Sequence, residues 1–345
     1  MKVKIILFAF ISCLMMLGMG SCEGDIGELG PQGPDGPQGP QGISEFEDCM
    51  KCHSNSQKIT AKLFQWESSV HATGGHYERS QASCAGCHTS QGFLDRLETG
   101  GTTASMDIED PLPQNCYACH QIHTTYTEDD WAFNTMDPVT FWVGGATVDL
   151  GKGNLCINCH QARVPDPGVP PVGENSVYNL TNKRYGPHHG AQGMVFTGNG
   201  AYKVGSGYEN SSHTDLVPDA CITCHMASIM GGNEAGGHTF RVISEDGDLN
   251  TAGCLQCHLS SDEVEDMYVT TQSEVTILLD SLGNTLKDLG LLDDDLEYAV
   301  VPQDFTSVQL GVLWNYQYIK EDKSLGVHNA KFVSTLLGNS IEALQ

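Results

Sequence analysis

Residues 84–88 of the chain read Cys-Ala-Gly-Cys-His, and this Cys-x-x-Cys-His pattern occurs six times. We number the motifs 1 to 6 in chain order: Cys49/Cys52/His53, Cys84/Cys87/His88, Cys116/Cys119/His120, Cys156/Cys159/His160, Cys221/Cys224/His225 and Cys254/Cys257/His258. The pattern is typical of covalent c-type haem attachment, in which two cysteines form thioethers and the following histidine binds iron. It predicts six haem c groups.

Two other uses of paired cysteines compete with this interpretation. Tetrahedral zinc takes four thiolates or imidazoles at a time, and a disulfide framework would pair the thiols directly. Neither explains why a histidine follows the second cysteine of every motif. Haem attachment is therefore the favoured hypothesis.

The first 21 residues have the pattern of a secretory signal, with a basic start at Lys2 and Lys4 followed by an apolar run and small residues. A membrane-spanning anchor is the alternative, but the run is short for that purpose. Residues 19–22, Met-Gly-Ser-Cys, resemble a bacterial lipoprotein cleavage site, in which the cysteine becomes lipidated. We expect an exported protein attached to a membrane through Cys22, either in the periplasm or at the outer membrane and cell surface.

Glycine occupies every third position from Gly24 to Gly42, in a collagen-like repeat with interspersed prolines. So few triplets predict a stiff spacer rather than a stable triple helix. At about 3 Å per residue, the spacer would hold the following domain some 50 to 60 Å from the lipid anchor. The expected layout is a signal peptide at 1–21, the spacer at 22–43, a hexahaem domain at 44–258 and a helical region at 259–345.

The formal net charge of −26 argues against nucleic acid as a partner. An acidic surface can keep a haem-rich protein soluble, or it can steer the protein toward basic redox partners. The sign of the charge does not choose between these two roles.

The expected fold is mainly α with extensive irregular loops, and much of its interior would be porphyrin. Successive motifs are close in sequence, from 32 residues apart between Cys84 and Cys116 to 65 apart between Cys156 and Cys221. Glycine and proline clusters interrupt the intervening segments, and sustained alternation of apolar and polar residues is absent, which argues against a large sheet. After motif 6, apolar residues at helical spacing predict three helices, over 275–289, 308–319 and 332–341.

The second axial ligands must come from histidines outside the motifs. Fourteen histidines minus six leave eight: His71, His76, His123, His188, His189, His213, His238 and His328. From their sequence contexts we expect six of them to be distal ligands: His71, His123, His189, His213, His238 and His328. His188 is an alternative to His189, His76 is a reserve, and Met226 or Met230 could replace a histidine at one iron.

Four further segments carry a family resemblance. They are Ser-Val-His-Ala at 69–72, Gly-Pro-His-His-Gly at 186–190, Cys224-His225-Met226 followed by Gly-His-Thr-Phe at 237–240, and residues 322–329 before the terminal helix. In these segments the chain resembles the extended family of multihaem cytochromes that includes ammonia-forming nitrite reductase and hydroxylamine-oxidoreductase-like proteins. The resemblance implies that these histidines are distal haem ligands. No Cys-x-x-Cys-Lys sequence occurs, so the catalytic residues of the nitrite reductases are not carried over.

Histidine on both axial positions closes an iron to substrates, so we expect an electron carrier rather than an enzyme. Its partners would be redox proteins, above all other cytochromes, in an exported respiratory or extracellular electron-transfer chain. One alternative is an oxidoreductase that reduces a small nitrogen or sulfur oxyanion at one open haem, with His76 or the unused member of His188/His189 as the acid. Another is a structural cytochrome that polymerises into a homo-oligomer or filament.

Overall fold

The computed structural model describes His53 and residues 57–228 and 234–345. The predicted signal peptide, Cys22, the spacer, the motif 1 cysteines Cys49 and Cys52, and Met230 lie outside the described residues. Within the described ranges, no helix has both the length and the apolar character needed to cross a bilayer.

The first part of the described chain consists of short helices joined by loops. These are α1 (Gln57–Glu67), α2 (Val70–Thr73), α3 (Ala82–His88), α4 (Ser90–Thr99) and α5 (Cys116–Cys119), with 3₁₀ turns at Tyr77–Arg79 and Glu128–Trp131. Thr89 separates α3 from α4, and its hydroxyl accepts a hydrogen bond from the Gly92 backbone N–H as the N-cap of α4. Gly100 then ends α4 in the left-handed conformation, with φ of 67°.

The middle of the chain is more irregular still. It contains α6 (Gly153–Ile157), α7 (Gln192–Thr197), α8 (Ser212–Leu216) and α9 (Cys221–His225), and 3₁₀ turns at Gly237–Thr239 and Thr251–Gln256. The described strands form two small antiparallel pairs: β1 (Val139–Thr140) with β2 (Thr147–Val148), and β3 (Val177–Leu180) with β4 (Gln303–Thr306). The second pair joins the middle of the chain to the C-terminal region.

Three longer helices form the C-terminal region: α10 (Ser261–Asp288), α11 (Ser307–Asp322) and α12 (Ala330–Glu342). Ser260 caps α10, and Thr306 and Gln309 form a capping box at the start of α11. The predicted fold class, mainly helical with irregular loops, is confirmed, and the three predicted C-terminal helices are present.

The main hydrophobic core lies between these three helices and the loops of the middle region. Leu282 on α10, Leu313 on α11 and Leu336 on α12 are fully buried in it, together with Met194 on α7. Gly311 lets α11 pack tightly, because a Cβ at this position would meet the ring of Tyr202 at 2.4 Å. The C-terminal helices therefore serve as the scaffold against which the central loops are held.

Candidate haem-binding sites

Motifs 2 to 6 each lie on or beside one turn of helix. Motif 2 ends α3, motifs 3 and 5 coincide with α5 and α9, motif 4 overlaps α6, and motif 6 begins within the turn at Thr251–Gln256. The turn closes at the histidine, whose backbone N–H donates to the first cysteine's carbonyl, at 2.9 Å for His120 and 3.0 Å for His160. Because residues three and four positions apart share one face of a helix, both sulfurs and the imidazole project from the same side.

Every motif histidine faces one histidine from elsewhere in the chain. The ring centres are 5.9 Å apart for His53–His123, 6.4 Å for His88–His188, 6.4 Å for His120–His238, 6.3 Å for His160–His71, 6.2 Å for His225–His328 and 6.2 Å for His258–His213. The pairing is one to one and uses twelve of the fourteen histidines. Each motif together with its facing histidine is called a site, and sites 1 to 6 take the numbers of their motifs.

The spacing of these pairs matches a metal held between two imidazoles. A metal about 2 Å from each coordinating nitrogen leaves the two ring centres roughly 6 Å apart. All six pairs satisfy this condition, and the two cysteines of each described motif lie beside the pair. The residues present therefore fit a covalently attached haem with histidine on both faces of its iron.

Burial keeps most of these imidazoles in the neutral form that can bind metal. It is the main cause that lowers the pKa of His71, His88, His188 and His238 to about 4. A neutral ring at pH 7 has a free lone pair on one nitrogen. The environment of these four rings thus suits metal coordination.

Hydrogen bonds to the second ring nitrogen orient several of the motif histidines. His120 Nδ1 lies 2.7 Å from the Trp131 carbonyl oxygen, and His225 Nδ1 lies 2.8 Å from that of Phe240. A carbonyl only accepts, so each Nδ1 donates and Nε2 is left as the free coordinating atom.

For site 2 the structure favours His188 as the facing histidine, whereas His189 was predicted from the sequence. His188 has φ of 73°, and its ring faces His88. The adjacent His189 ring is mostly exposed and lies 2.9 Å from the Glu321 carboxylate through Nδ1. His188 is therefore the better candidate ligand, and neighbouring positions in one glycine-flanked segment explain why the pattern did not separate them.

Cys257 of motif 6 differs from most of the other described motif cysteines. Haem attachment at Cys257 is predicted from the motif, and the structure leaves this residue exposed. Cys116 of motif 3 is exposed as well, whereas the remaining eight described cysteines are partly buried. The 3₁₀ turn at Thr251–Gln256 ends just before Cys257, whose φ of −128° takes it out of the helical path. Haem attachment at Cys257 stays a prediction, and a thioether there would lie at the protein surface.

The reserve histidine, His76, faces none of the motif histidines. Its Nδ1 lies 3.0 Å from the Gly74 carbonyl oxygen, and its ring packs against Tyr77. With His189 it makes up the two histidines outside the six pairs.

Contacts between motifs show which sites are adjacent to each other. The Arg96 guanidinium donates to the thiols of both Cys87 in motif 2 and Cys159 in motif 4. Gly153, just before motif 4, packs on the residue before motif 5, where a Cβ would meet the Ala220 Cβ at 3.3 Å. Cys119 of motif 3 and Cys159 of motif 4 pack on the same small apolar cluster. Site 4 is therefore in contact with sites 2, 3 and 5.

Sites 1 and 6 lie at the ends of this arrangement. The Tyr117 hydroxyl of motif 3 lies 3.3 Å from Nδ1 of His123, the facing histidine of site 1. Gly253, just before motif 6, packs on motif 5, where a Cβ would meet the Thr223 carbonyl oxygen at 2.4 Å. The six sites thus form one continuous, branched series.

Two side chains beside the sites were not expected from the sequence. Arg96 lies between motifs 2 and 4, and Asp322 is hydrogen-bonded to His328. Burial acts to lower the pKa of His328, but the Asp322 carboxylate outweighs it and the net shift is upward. Asp322 lies only six residues before His328, so the sequence contained a weak indication of this contact. Arg96 lies in a short amphipathic helix, and nothing in the sequence around it indicated a position between two motifs.

A comparison with solved structures agrees with this geometry. The chain shares its fold with a cytochrome. The outer cell wall cytochrome OcwA superposes with a TM-score of 0.52 at 20% sequence identity, over 82% of this chain and 50% of the OcwA chain. This chain therefore spans about half the length of OcwA. No protein-family model matches the chain, and no curated protein sequence does either.

Proposed function

We propose that this protein is a hexahaem c-type cytochrome that transfers electrons and holds each haem iron between two histidines. The observation that carries the proposal is the one-to-one pairing of six motif histidines with six others at ring distances of 5.9 to 6.4 Å. A tetrahedral zinc site would instead bring four ligands around one point. Six separate pairs of facing imidazoles therefore favour haem over zinc as the cofactor.

The ligand assignment follows from the pairs. Thioether bonds would be made by the twelve motif cysteines, the exposed Cys257 among them, and the motif histidines would be the proximal ligands. The distal ligands, in the order of sites 1 to 6, would be His123, His188, His238, His71, His328 and His213. At sites 2 to 5 the iron would join segments far apart in sequence, so haem attachment also contributes to holding the fold together.

The closed coordination favours an electron carrier over an enzyme. Haem supplies a one-electron change of iron valence, and the protein sets its potential through ligands, burial and nearby charge. Two imidazoles per iron leave substrates no coordination position. His76 and His189, the candidate acids of the oxyanion-reducing alternative, do not face a motif histidine across a site. Nothing in the geometry favours that alternative.

We assign the protein to an exported electron-transfer chain, with other cytochromes as its partners. The signal-like N-terminus supports export, and the lipoprotein-like Cys22 supports attachment to a membrane surface. The fold shared with an outer cell wall cytochrome agrees with a position outside the cytoplasm. In this arrangement the spacer at 22–43 lets the haem domain reach its partners.

The test combines haem content with the spin state of the oxidised protein. We expect six haems per chain and six low-spin irons in the electron paramagnetic resonance spectrum. His188→Ala should convert one iron to high spin without loss of haem, because attachment needs only the motif. His189→Ala is the matched control and should leave all six low-spin.

Two results would contradict the proposal. One is a persistent high-spin iron in the unmodified protein, which would point to an open site. The other is a haem content below six in protein matured with the cytochrome c assembly machinery.

A further inference from the structure

Arg96 places a buried positive charge between sites 2 and 4. The residue is 3% exposed, and its guanidinium donates to Cys87 Sγ at 3.4 Å, Cys159 Sγ at 3.7 Å and the Asn158 carbonyl oxygen at 2.9 Å. Its planar group also lies over the rings of Phe93 and Trp142. Within the described ranges, no carboxylate forms an ion pair with it. The charge is therefore not neutralised locally, and arginine does not lose its proton in proteins.

Other arginines reinforce the positive charge at site 2. The backbone N–H of Arg163 donates to the Pro187 carbonyl oxygen at 3.1 Å, next to His188. Arg79 lies on the 3₁₀ turn before α3, the helix that ends with motif 2. In a chain of net charge −26, Arg96 thus contacts motif 2 directly, and two of the other four arginines lie on segments next to site 2.

The acidic groups near site 2 are exposed or already engaged. Asp107 is exposed and accepts a hydrogen bond from the Ala82 backbone N–H at 2.8 Å. Glu321 is paired with His189. Neither carboxylate lies against the Arg96 guanidinium, so neither forms an ion pair with its charge.

Site 5 has the opposite character. The Asp322 side chain is fully buried, and Oδ1 lies 2.6 Å from Nδ1 of His328, the facing histidine of site 5. Among the described residues, its only ion-pair partner is that imidazole. A carboxylate bonded to the outer nitrogen of a metal-binding imidazole makes the coordinating nitrogen more basic. Asp322 is a positioning residue that acts on the iron through His328.

Arg96 lies at sites 2 and 4, and Asp322 lies at site 5, so the two charges act on different members of a contiguous row of sites. Sites 4 and 2 share the Arg96 guanidinium, which donates to Cys159 and Cys87, and sites 4 and 5 pack together where Gly153 meets Ala220. Reduction adds one negative charge to a haem, so a nearby cation favours the reduced form and a nearby anion favours the oxidised form. Both effects are strengthened by the low dielectric of a buried position.

We propose that the reduction potential rises from site 5 through site 4 to site 2, so that electrons on this row collect at site 2. The inference rests on the proposed function, since it needs haem at these three sites. It adds a direction to the electron flow. The two residues that set that direction are Arg96 and Asp322.

The test is a potentiometric titration of the oxidised holoprotein, followed by visible and electron paramagnetic resonance spectra. Arg96→Gln should lower the equilibrium constant for reduction of two haems by roughly tenfold each, a shift of about 59 mV for one electron. Asp322→Asn should raise that of one other haem by a similar factor. The variants thereby identify which titration steps belong to sites 2 and 4 and which belongs to site 5.

In the unmodified protein, the steps that respond to Arg96→Gln should lie at more positive potential than the step that responds to Asp322→Asn. The control is Lys287→Gln, which removes a positive charge from an exposed pair with Asp294 and should move no step by as much. Arg96→Lys keeps the charge and should leave the potentials near those of the native protein. If Arg96→Gln loses haem, Arg163→Gln takes its place and should lower the potential of site 2.

The inverse order of the steps would overturn the inference, and so would an effect of Arg96→Gln no larger than that of Lys287→Gln. Failure of the proposed function would look different. It would appear as fewer than six haems or as a high-spin iron in the same samples, whatever the order of the potentials.

Discussion

Residues 57–135 and 261–345 of this chain are stabilised by different means. The earlier segment buries four apolar residues, Ala85, Phe93, Ala104 and Ala118, while Phe64, Val70 and Tyr77 are more than half exposed. The later segment buries a continuous set of leucine, valine and aromatic side chains from three helices. The difference shows that the C-terminal helices take part in a large apolar core, whereas the earlier segment has few buried apolar side chains to stabilise it.

This contrast follows from what each segment has to bury. Helices of four to eleven residues with few apolar partners, such as α1 to α5, are marginal in water by themselves. Covalent haem would cover the exposed apolar side chains near sites 1 to 4 and join the segment to the rest of the protein. The long helix α10 needs no such help, because Val275, Leu279 and Leu282 already form an apolar stripe at helical spacing.

The largest expected effect is that of removing haem altogether. In protein produced without the cytochrome c maturation machinery, we expect residues 57–135 to exchange their backbone amides like an unfolded chain. The helices α10 to α12 should keep measurable protection, because they bury many more apolar side chains than the earlier segment does. Hydrogen exchange with mass spectrometry measures both regions in one experiment, with the holoprotein as the control. Equal protection from hydrogen exchange in the two regions would contradict the proposed difference between them.

A smaller effect is expected from a cavity in the C-terminal core. Leu282→Ala removes a side chain that is 0% exposed and should lower the free energy of unfolding by about 2–5 kcal/mol. Ile277→Ala on the same helix is the matched control, since Ile277 is 66% exposed and its truncation should cost no more than about 0.5 kcal/mol. Denaturant titration of the holoprotein compares the two. Equal losses would mean that this face of α10 is not the buried one.

The smallest effect concerns the helix caps, which occur in both regions. Thr89→Ala and Thr306→Ala each remove a hydroxyl that accepts a backbone N–H, at 3.0 Å from Gly92 and 3.2 Å from Gln309, and each should cost about 1 kcal/mol. We expect Thr89→Ala to raise exchange only in α4, because this segment opens locally. Thr306→Ala should lower the stability of the whole C-terminal region. A loss of hydrogen-exchange protection throughout the protein in Thr89→Ala would show that the two regions unfold together.

The haem hypothesis could be formed from the sequence because its signal is local. The two cysteines and the histidine of a motif lie within a single helical turn, so their spacing alone indicates haem attachment. The three C-terminal helices were predictable for a similar reason, since apolar periodicity identifies a buried face. The start of α10 at Ser261 was not predicted. Many residues between Ser261 and Val275 are charged, and only the Ser260 cap marks the N-terminus of the helix.

Chain order did not predict the pairing of the histidines. His71 precedes motif 2 yet faces His160 of motif 4, and His328 faces His225 of motif 5 from the far end of the chain. The sequence supplied enough histidines, whereas the packing of loops far apart along the chain assigned each to its site. His188, at a left-handed backbone position, faces His88, and its neighbour His189 does not.

The amino-acid sequence thus predicted the kind of cofactor and the helical character of the C-terminal region, and it determined the number of Cys-x-x-Cys-His motifs, because each depends on residues close together in the chain. The tertiary structure established which histidine faces which motif, which sites are neighbours, and where Arg96 and Asp322 place their charges. It also decided which motif cysteines are covered and which, like Cys257, are left at the surface. These features depend on distances in space between residues that are remote in sequence, and no local pattern encodes such distances.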